Sequence, residues 1–239
     1  MNIKKTVLAG IFFLLTGCGD SNTKPEDSGS QFNPDINYGS FTDSRDGQTY
    51  RTVRIGNLTW MAQNMNYPKN SPPDGLGCYD NDENNCKKYG KLYEWGFSGA
   101  PSYVCPSGWR LPDTTDWDNL LMTVKTDREK HGVYYRRGPV ELQSQSWKYN
   151  TYHGTDIYGF SAMPGGLKTR YDYFTDIGRE TIWWSANTIP NPYNVNSTLL
   201  YPVIYEMGSI LGSIVEGVGR SYIGSSRNVG GAYVRCVRD

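Results

Sequence analysis

The chain has 239 residues with 24 basic and 24 acidic side chains, a formal net charge of zero. Nothing in that balance points to nucleic-acid binding, which usually wants a clustered basic face. Aromatic residues make up 14% of it, with 19 Tyr, 7 Trp and 27 Gly, a composition that points to a loop-rich domain of strands and few helices.

The N-terminus reads as an export signal. Lys4 and Lys5 precede an apolar run from Val7 to Leu15, interrupted by Ala9 and Gly10. A bilayer span needs roughly 20 apolar residues, so this run is too short and fits the h-region of a signal peptide. It ends in Leu15-Thr16-Gly17-Cys18, the pattern of a lipobox, in which small residues expose the bond before a lipid-bearing cysteine. Residues 1–17 are expected to be removed and Cys18 to carry the lipid. An ordinary secretory peptide with an incidental cysteine is the alternative. Losing Lys4 and Lys5 leaves 22 basic against 24 acidic groups, net −2. Residues 18–38, rich in Ser, Asp, Asn, Pro and Gly, are expected to form a flexible tether with a reach of roughly 25 Å. Residues 39–239 then form one domain.

The domain is expected to open with a hairpin. Tyr50 to Ile55 and Leu58 to Ala62 flank Gly56-Asn57, a pair that tolerates positive φ. Leu58, Trp60 and Ala62 share one face by period two. A short helix is expected over Lys91 to Phe97, with Leu92 and Trp95 on one side. A stronger one follows, with Asp113 as N-cap and Asp116 three residues on. Trp117, Leu120, Leu121 and Val124 form its apolar stripe. Beyond about His131 the pattern turns to short strands and loops, including Gly159 to Pro164, Ile182 to Ser185, Leu199 to Glu206 and Ala232 to Val237.

Four cysteines besides Cys18 remain, an even number that suits an oxidising compartment. Three pairings are possible. The reading favours Cys78–Cys86, closing a polar loop, and Cys105–Cys236, tying mid-chain to the last strand. A four-thiolate zinc site is the alternative, but the spacing lacks paired C-x-x-C ligands.

Several stretches carry a resemblance. They include Phe41 to Tyr50, Ile55 to Ala62, Cys86 to Tyr93, Cys105-Pro106-Ser107-Gly108-Trp109-Arg110-Leu111-Pro112, Gly159 to Gly166, Trp184-Ser185 and Val234-Arg235-Cys236-Val237. In order and nearly end to end, they resemble the Fibrobacter succinogenes major paralogous domain. That family is similar to the C-type lectin-like fold, including its formylglycine-generating branch. The resemblance implies a compact α+β domain: a twisted antiparallel sheet, two helices, chain ends close together and a loop-rich second half carrying the ligand surface. It also implies a surface or secreted module binding carbohydrate or protein.

Sugar binding needs aromatic faces beside amides, carboxylates or other hydrogen-bonding groups. The second half supplies Tyr171, Tyr173, Trp183, Asn187, Tyr193, Asn194, Asn196, Tyr201, Tyr205, Tyr222, Arg227 and Asn228 as candidates; for each, plain packing is the competing reading. Trp184 is assigned to the core by its place in the family motif. Asp80, Asp82 and Asn84 alternate like the opening of a calcium loop, but Asn85 stands where its glycine belongs and no bidentate Glu follows. Neither the Glu-Pro-Asn nor the Gln-Pro-Asp signature of calcium lectins occurs, so sugar binding is expected to be calcium-independent, with no cofactor. His131 and His153 lack identifiable partners, and there is no Gly-x-Ser-x-Gly. The cysteines on which formylglycine generation depends all have structural assignments here. The expectation is a non-enzymatic, monomeric lipoprotein, anchored by its lipid outside the cytoplasm, at the outer membrane or the cell surface. Its ligand would be polysaccharide; a structural lipoprotein docking a surface protein is the alternative.

Overall fold

The computed structural model describes residues 31–67, 75–95, 100–131, 140–149, 152–190, 200–208, 218–222 and 229–239. The expected signal peptide, Cys18 and the first part of the tether lie outside them. Two α-helices and two main sheets make an α+β fold among the described residues.

The first sheet is antiparallel. Its strands are β1 (Gly39–Thr42), β2 (Thr49–Ile55), β3 (Leu58–Met61) and, from the far end of the chain, β14 (Val237–Arg238), in that order. Ile55 pairs with Leu58 around the expected turn, where Gly56 takes φ +60°, a conformation that costs glycine little. Pairing of Val237 with Trp60 brings the end of the chain back beside its opening strands.

The second sheet is mixed. Its order runs β12 (Val218–Tyr222), β11 (Leu200–Gly208), β10 (Glu180–Pro190), β8 (Gly165–Thr169), β13 (Val229–Tyr233), β5 (Leu92–Tyr93) and β4 (Gly75–Gly77), with β9 (Phe174–Ile177) hairpinned onto β8. A small ribbon joins β6 (Lys148–Tyr149) to β7 (Tyr152–His153). Both faces of the central strands are covered, so neighbouring residues of β10 are buried alike: Trp183 packs with Trp60, Trp117 and Tyr205, Trp184 with Tyr93, Leu111 and Cys236. A strand buried on both faces loses the alternation that separates core from surface.

Helix α2 (Thr114–Lys130) starts as expected. Asp113 Oδ1 accepts the Asp116 N–H at 2.9 Å, and Asp116 Oδ2 accepts the Asp113 N–H at 2.8 Å, a reciprocal cap. Asp116 also receives both guanidinium ends of Arg110. Trp117, Leu120 and Val124 are buried against the sheet, and Leu121 is half-buried. The aromatic centre is continuous: Trp117 stacks on Tyr205 at 5.1 Å and lies 5.0 Å from Trp60 and 5.5 Å from Trp183.

Three expectations are corrected. The helix expected over residues 91–97 is absent from its described part, residues 91–95: Leu92 and Tyr93 are a buried strand paired with Tyr233 and Ala232. Their spacing to Trp95 suited a helix, and pairing with β13 overrode it. A helix does lie just before, in the loop read as polar and irregular. It is α1 (Glu83–Tyr89), capped by Asp82 Oδ1 on the Asn84 N–H at 2.9 Å and ended by Gly90 at φ +85°. The tether boundary also moves: residues 31–38 are packed on the domain, with Phe32 and Asn33 buried. Arg51 covers the Phe32 ring at 4.1 Å, and a methyl at Gly159 would collide with Ile36 and Tyr38.

The disulfides are Cys78–Cys86 and Cys105–Cys236. The first staples α1 to the turn before it; the second ties the Cys105-to-Pro112 segment to the link between β13 and β14.

Candidate functional site

Of the candidate ligand residues, only Tyr171 and Tyr173 are described as strongly exposed, at 70% and 54%. They sit on the loop of the β8–β9 hairpin. Thr169 N–H donates to Tyr173 O at 2.9 Å and Asp172 N–H to Thr169 O at 3.2 Å. Asp172 adopts φ +68°, which Asp tolerates better than most side chains. Lys168 pairs with Asp172 across the turn. At the base, Phe174 packs on Tyr79 at 5.0 Å. Gly166 permits this approach, since a Cβ there would lie 2.7 Å from the Tyr79 ring. The hairpin is thus fastened at its root, while its tip presents two tyrosines beside exposed Arg170 and Asp172. Such a surface offers apolar ring faces together with a hydrogen-bond donor and an acceptor.

Other candidates have different employment. Trp183 is fully buried and donates its indole N–H to Asn64 Oδ1 at 2.8 Å. Tyr205 is fully buried, with its hydroxyl 2.8 Å from Asp118 Oδ1 and 3.2 Å from Thr114 O. Asn187 is half-buried, and its Oδ1 accepts the Thr114 N–H at 2.7 Å. It satisfies a first-turn donor of α2 from a neighbouring strand. Trp183 and Tyr205 are corrected from ligand contacts to core, because both rings pack against Trp117 of α2; Asn187 is engaged by the first turn of α2. Tyr201 and Tyr222 fall within β11 and β12, but their side chains lie outside the described set. Tyr193, Asn194, Asn196, Arg227 and Asn228 also lie outside it.

The acidic alternation near residue 80 serves the turn into α1. Asp82 is the helix cap, and Asp80 and Asn81 take φ +52° and +57° in the turn Tyr79–Asn81. Among the described residues, one group of three close potential ligand atoms occurs, Cys78, Glu83 and Cys86. Its two sulfurs are bonded to each other. His153 is exposed on β7, and His131 Nδ1 lies 2.7 Å from Asp127 O at the end of α2.

Sequence reasoning missed the polar centre. Arg235 is fully buried. Its Nε donates to Asn64 Oδ1 at 3.0 Å, one Nη donates to Phe160 O, and its guanidinium lies 4.3 Å over the Phe160 ring. Burial pulls its pKa down to about 9, opposed by the charge of Asp156. Asp156, also fully buried, accepts the Ser161 N–H at 2.6 Å, the Ser161 hydroxyl at 2.7 Å and the Tyr38 hydroxyl at 3.3 Å. Its carboxyl is pushed up to about 6 by burial, against those hydrogen bonds. Asn33 Nδ2 donates to the Asp156 carbonyl at 3.1 Å, so the packed N-terminal segment closes this network. An arginine inside the apolar run Ala232 to Val237 was the visible signal. No pattern links Tyr38 to Asp156.

A family model described as the Fibrobacter succinogenes major domain matches residues 53–238, more than three quarters of the chain. No curated protein and no solved structure matches it.

Proposed function

The chain belongs to the Fibrobacter succinogenes major domain family, and from there we propose that it is a non-catalytic binding module for carbohydrate that works without calcium. The observation that carries this reading is the β8–β9 tip, where Tyr171 and Tyr173 stand exposed on a rooted hairpin beside Arg170 and Asp172. Sugar rings carry apolar C–H faces edged by hydroxyls. They fit an aromatic surface with a donor and an acceptor at its margin. Holding the tyrosines on a hairpin limits the ordering that binding would cost. Independence from calcium is supported by a sequence with neither the Glu-Pro-Asn nor the Gln-Pro-Asp signature, and by Asp82 Oδ1 accepting the Asn84 N–H as a helix cap.

The proposal extends to setting and fold type. A basic n-region, a short apolar run and Leu15-Thr16-Gly17-Cys18 support a lipoprotein outside the cytoplasm, anchored at the outer membrane through Cys18. A C-type lectin-like arrangement is supported by the pairing of β14 with β3, which joins the two ends of the domain, and by α2 following directly on Trp109-Arg110-Leu111-Pro112. If glycans fail, exposed Met122 and Ile157 favour a protein-docking lipoprotein instead.

The test is a pull-down of the chain lacking residues 1–18, disulfides formed, on insoluble plant and microbial polysaccharides in the presence of chelator. Retention that soluble oligosaccharide competes away supports the reading. Folded protein that passes through every polysaccharide sinks it.

A further inference from the structure

A cleft of about 420 Å³ lies between the Gly56–Asn57 turn and α2, away from the hairpin tip in sequence and built from other elements. Its volume falls within the range of small-molecule sites and corresponds to about fourteen waters at bulk density. The turn approaches the helix closely: a Cβ on Gly56 would sit 3.4 Å from Thr123 Oγ1, at a φ that disfavours any side chain. Leu58 and Leu120 contribute apolar wall, and Met122, 52% exposed, lines the cleft from α2.

The charges around the cleft are already paired. Asp116 is held by Arg110 and by the Asp113 N–H. Asp127 receives the Tyr158 hydroxyl and faces Lys130 at 3.7 Å. Apart from the exposed Lys130 ammonium, whose partner is Asp127 at 3.7 Å, the lining side chains left without a hydrogen bond among the described residues are uncharged, the amides of Asn57 and Asn119 and the hydroxyl of Thr126. Each amide offers two donors and an acceptor, and the hydroxyl offers both. An anion entering here would face Asp116 and Asp127 as well as Lys130, and a cation would meet carboxylates already held by Arg110, Tyr158 and Lys130. A neutral ligand with adjacent hydroxyls would find donors and acceptors on one side and apolar surface for its C–H face on the other.

From this we infer that the cleft between the Gly56–Asn57 turn and α2 is a binding site for a neutral sugar of one or two rings. The site stands independently of what the hairpin tip binds. A polysaccharide engaging both would gain from linkage only where the spacing allows simultaneous contact.

Side-chain amide resonances of Asn57 and Asn119, assigned through N57A and N119A, provide the local readout. The chain lacking residues 1–18 is titrated with cellobiose, mannobiose and N-acetylglucosamine while these resonances and the Met122 methyl are followed. We expect saturable shifts with at least one sugar. N57A and T126A should each weaken binding by up to about tenfold, the loss of one hydrogen bond. Asn119→Trp, which fills the cleft from an exposed helix position, should abolish it, whereas Y171A/Y173A should leave it unchanged. Near-ultraviolet circular dichroism reports whether N119W is folded; if it is not, N57A and T126A decide. Amide resonances unmoved by all three sugars, or shifts that persist in folded N119W or are untouched by both N57A and T126A, overturn the site. Failure of the tip reading alone would appear as lost polysaccharide retention with these shifts intact.

Discussion

Replacing Asp156 by Asn should change how stability depends on pH, and the sign can be worked out beforehand. Burial lifts the folded carboxyl to about 6, whereas an unfolded Asp titrates near ~3.9. The folded state therefore holds this proton more tightly than the unfolded chain. The associated stability is fully present below about pH 4 and is lost as pH rises through about 6. Two units of difference correspond to about 3 kcal/mol. Asp43 works in the opposite direction. Its hydrogen bonds from Arg45 hold its carboxyl below the usual range, so its contribution is lost as pH falls. The two must be separated by difference. Urea unfolding of the chain lacking residues 1–18, disulfides intact, would be followed from about pH 4 to about pH 7.5 for wild type and D156N. The wild-type advantage over D156N should shrink by about 3 kcal/mol between the acid and neutral ends. A difference that is flat, or that grows with pH, would refute the reasoning and place Asp156 in a more hydrated setting than its burial implies.

Other outcomes follow from the same contacts. Removing Cys105–Cys236 as a double Ser variant should cost about 5 kcal/mol, from the entropy of freeing a 131-residue separation. The corresponding Cys78 and Cys86 change, over 8 residues, should cost about 2.5 kcal/mol; thermal or urea unfolding reads both. Arg235→Met keeps much of the apolar stem but strands the Phe160 carbonyl, takes one of two donors from Asn64 Oδ1 and removes the charge opposing Asp156. A loss of about 3 kcal/mol is expected by denaturation. Phe32→Ala should speed hydrogen exchange across residues 31–38 and lower global stability by about 2 kcal/mol, leaving exchange in β10 and β13 as slow as before relative to global unfolding.

Legibility in the sequence followed the range of the forces involved. The β2–β3 hairpin and α2 were readable because their determinants are local: Gly56-Asn57 between alternating strands, and Asp113 with Asp116 at the start of a Trp117, Leu120, Val124 stripe. Cys105–Cys236 could be favoured because an even cysteine count leaves three pairings. Leu92 and Tyr93 were misread because their conformation is set by β13, which lies about 140 residues further on. Trp183 and Tyr205 were misread because an aromatic ring serves a core as readily as a sugar, and Trp117 of α2 packs on both. Residues 31–38 looked like tether by composition, yet Asn33 and Tyr38 were given partners by a distant turn, residues 156–161, and Phe32 by Arg51. Tyr171 and Tyr173 were among the aromatic candidates by composition, but their exposure follows from the β8–β9 turn, which no motif in the sequence marks.

The most direct test of the central claim is calorimetric titration of the best-retained soluble oligosaccharide into the chain lacking residues 1–18, in chelator, beside Y171A, Y173A and the double variant. The tip variants should unfold within about 0.5 kcal/mol of wild type, as exposed substitutions do. Each single change should weaken binding by about 1 kcal/mol, near fivefold, and the double change should weaken it further. Binding of undiminished affinity in the folded double variant would contradict the assignment of the β8–β9 tip as the carbohydrate surface.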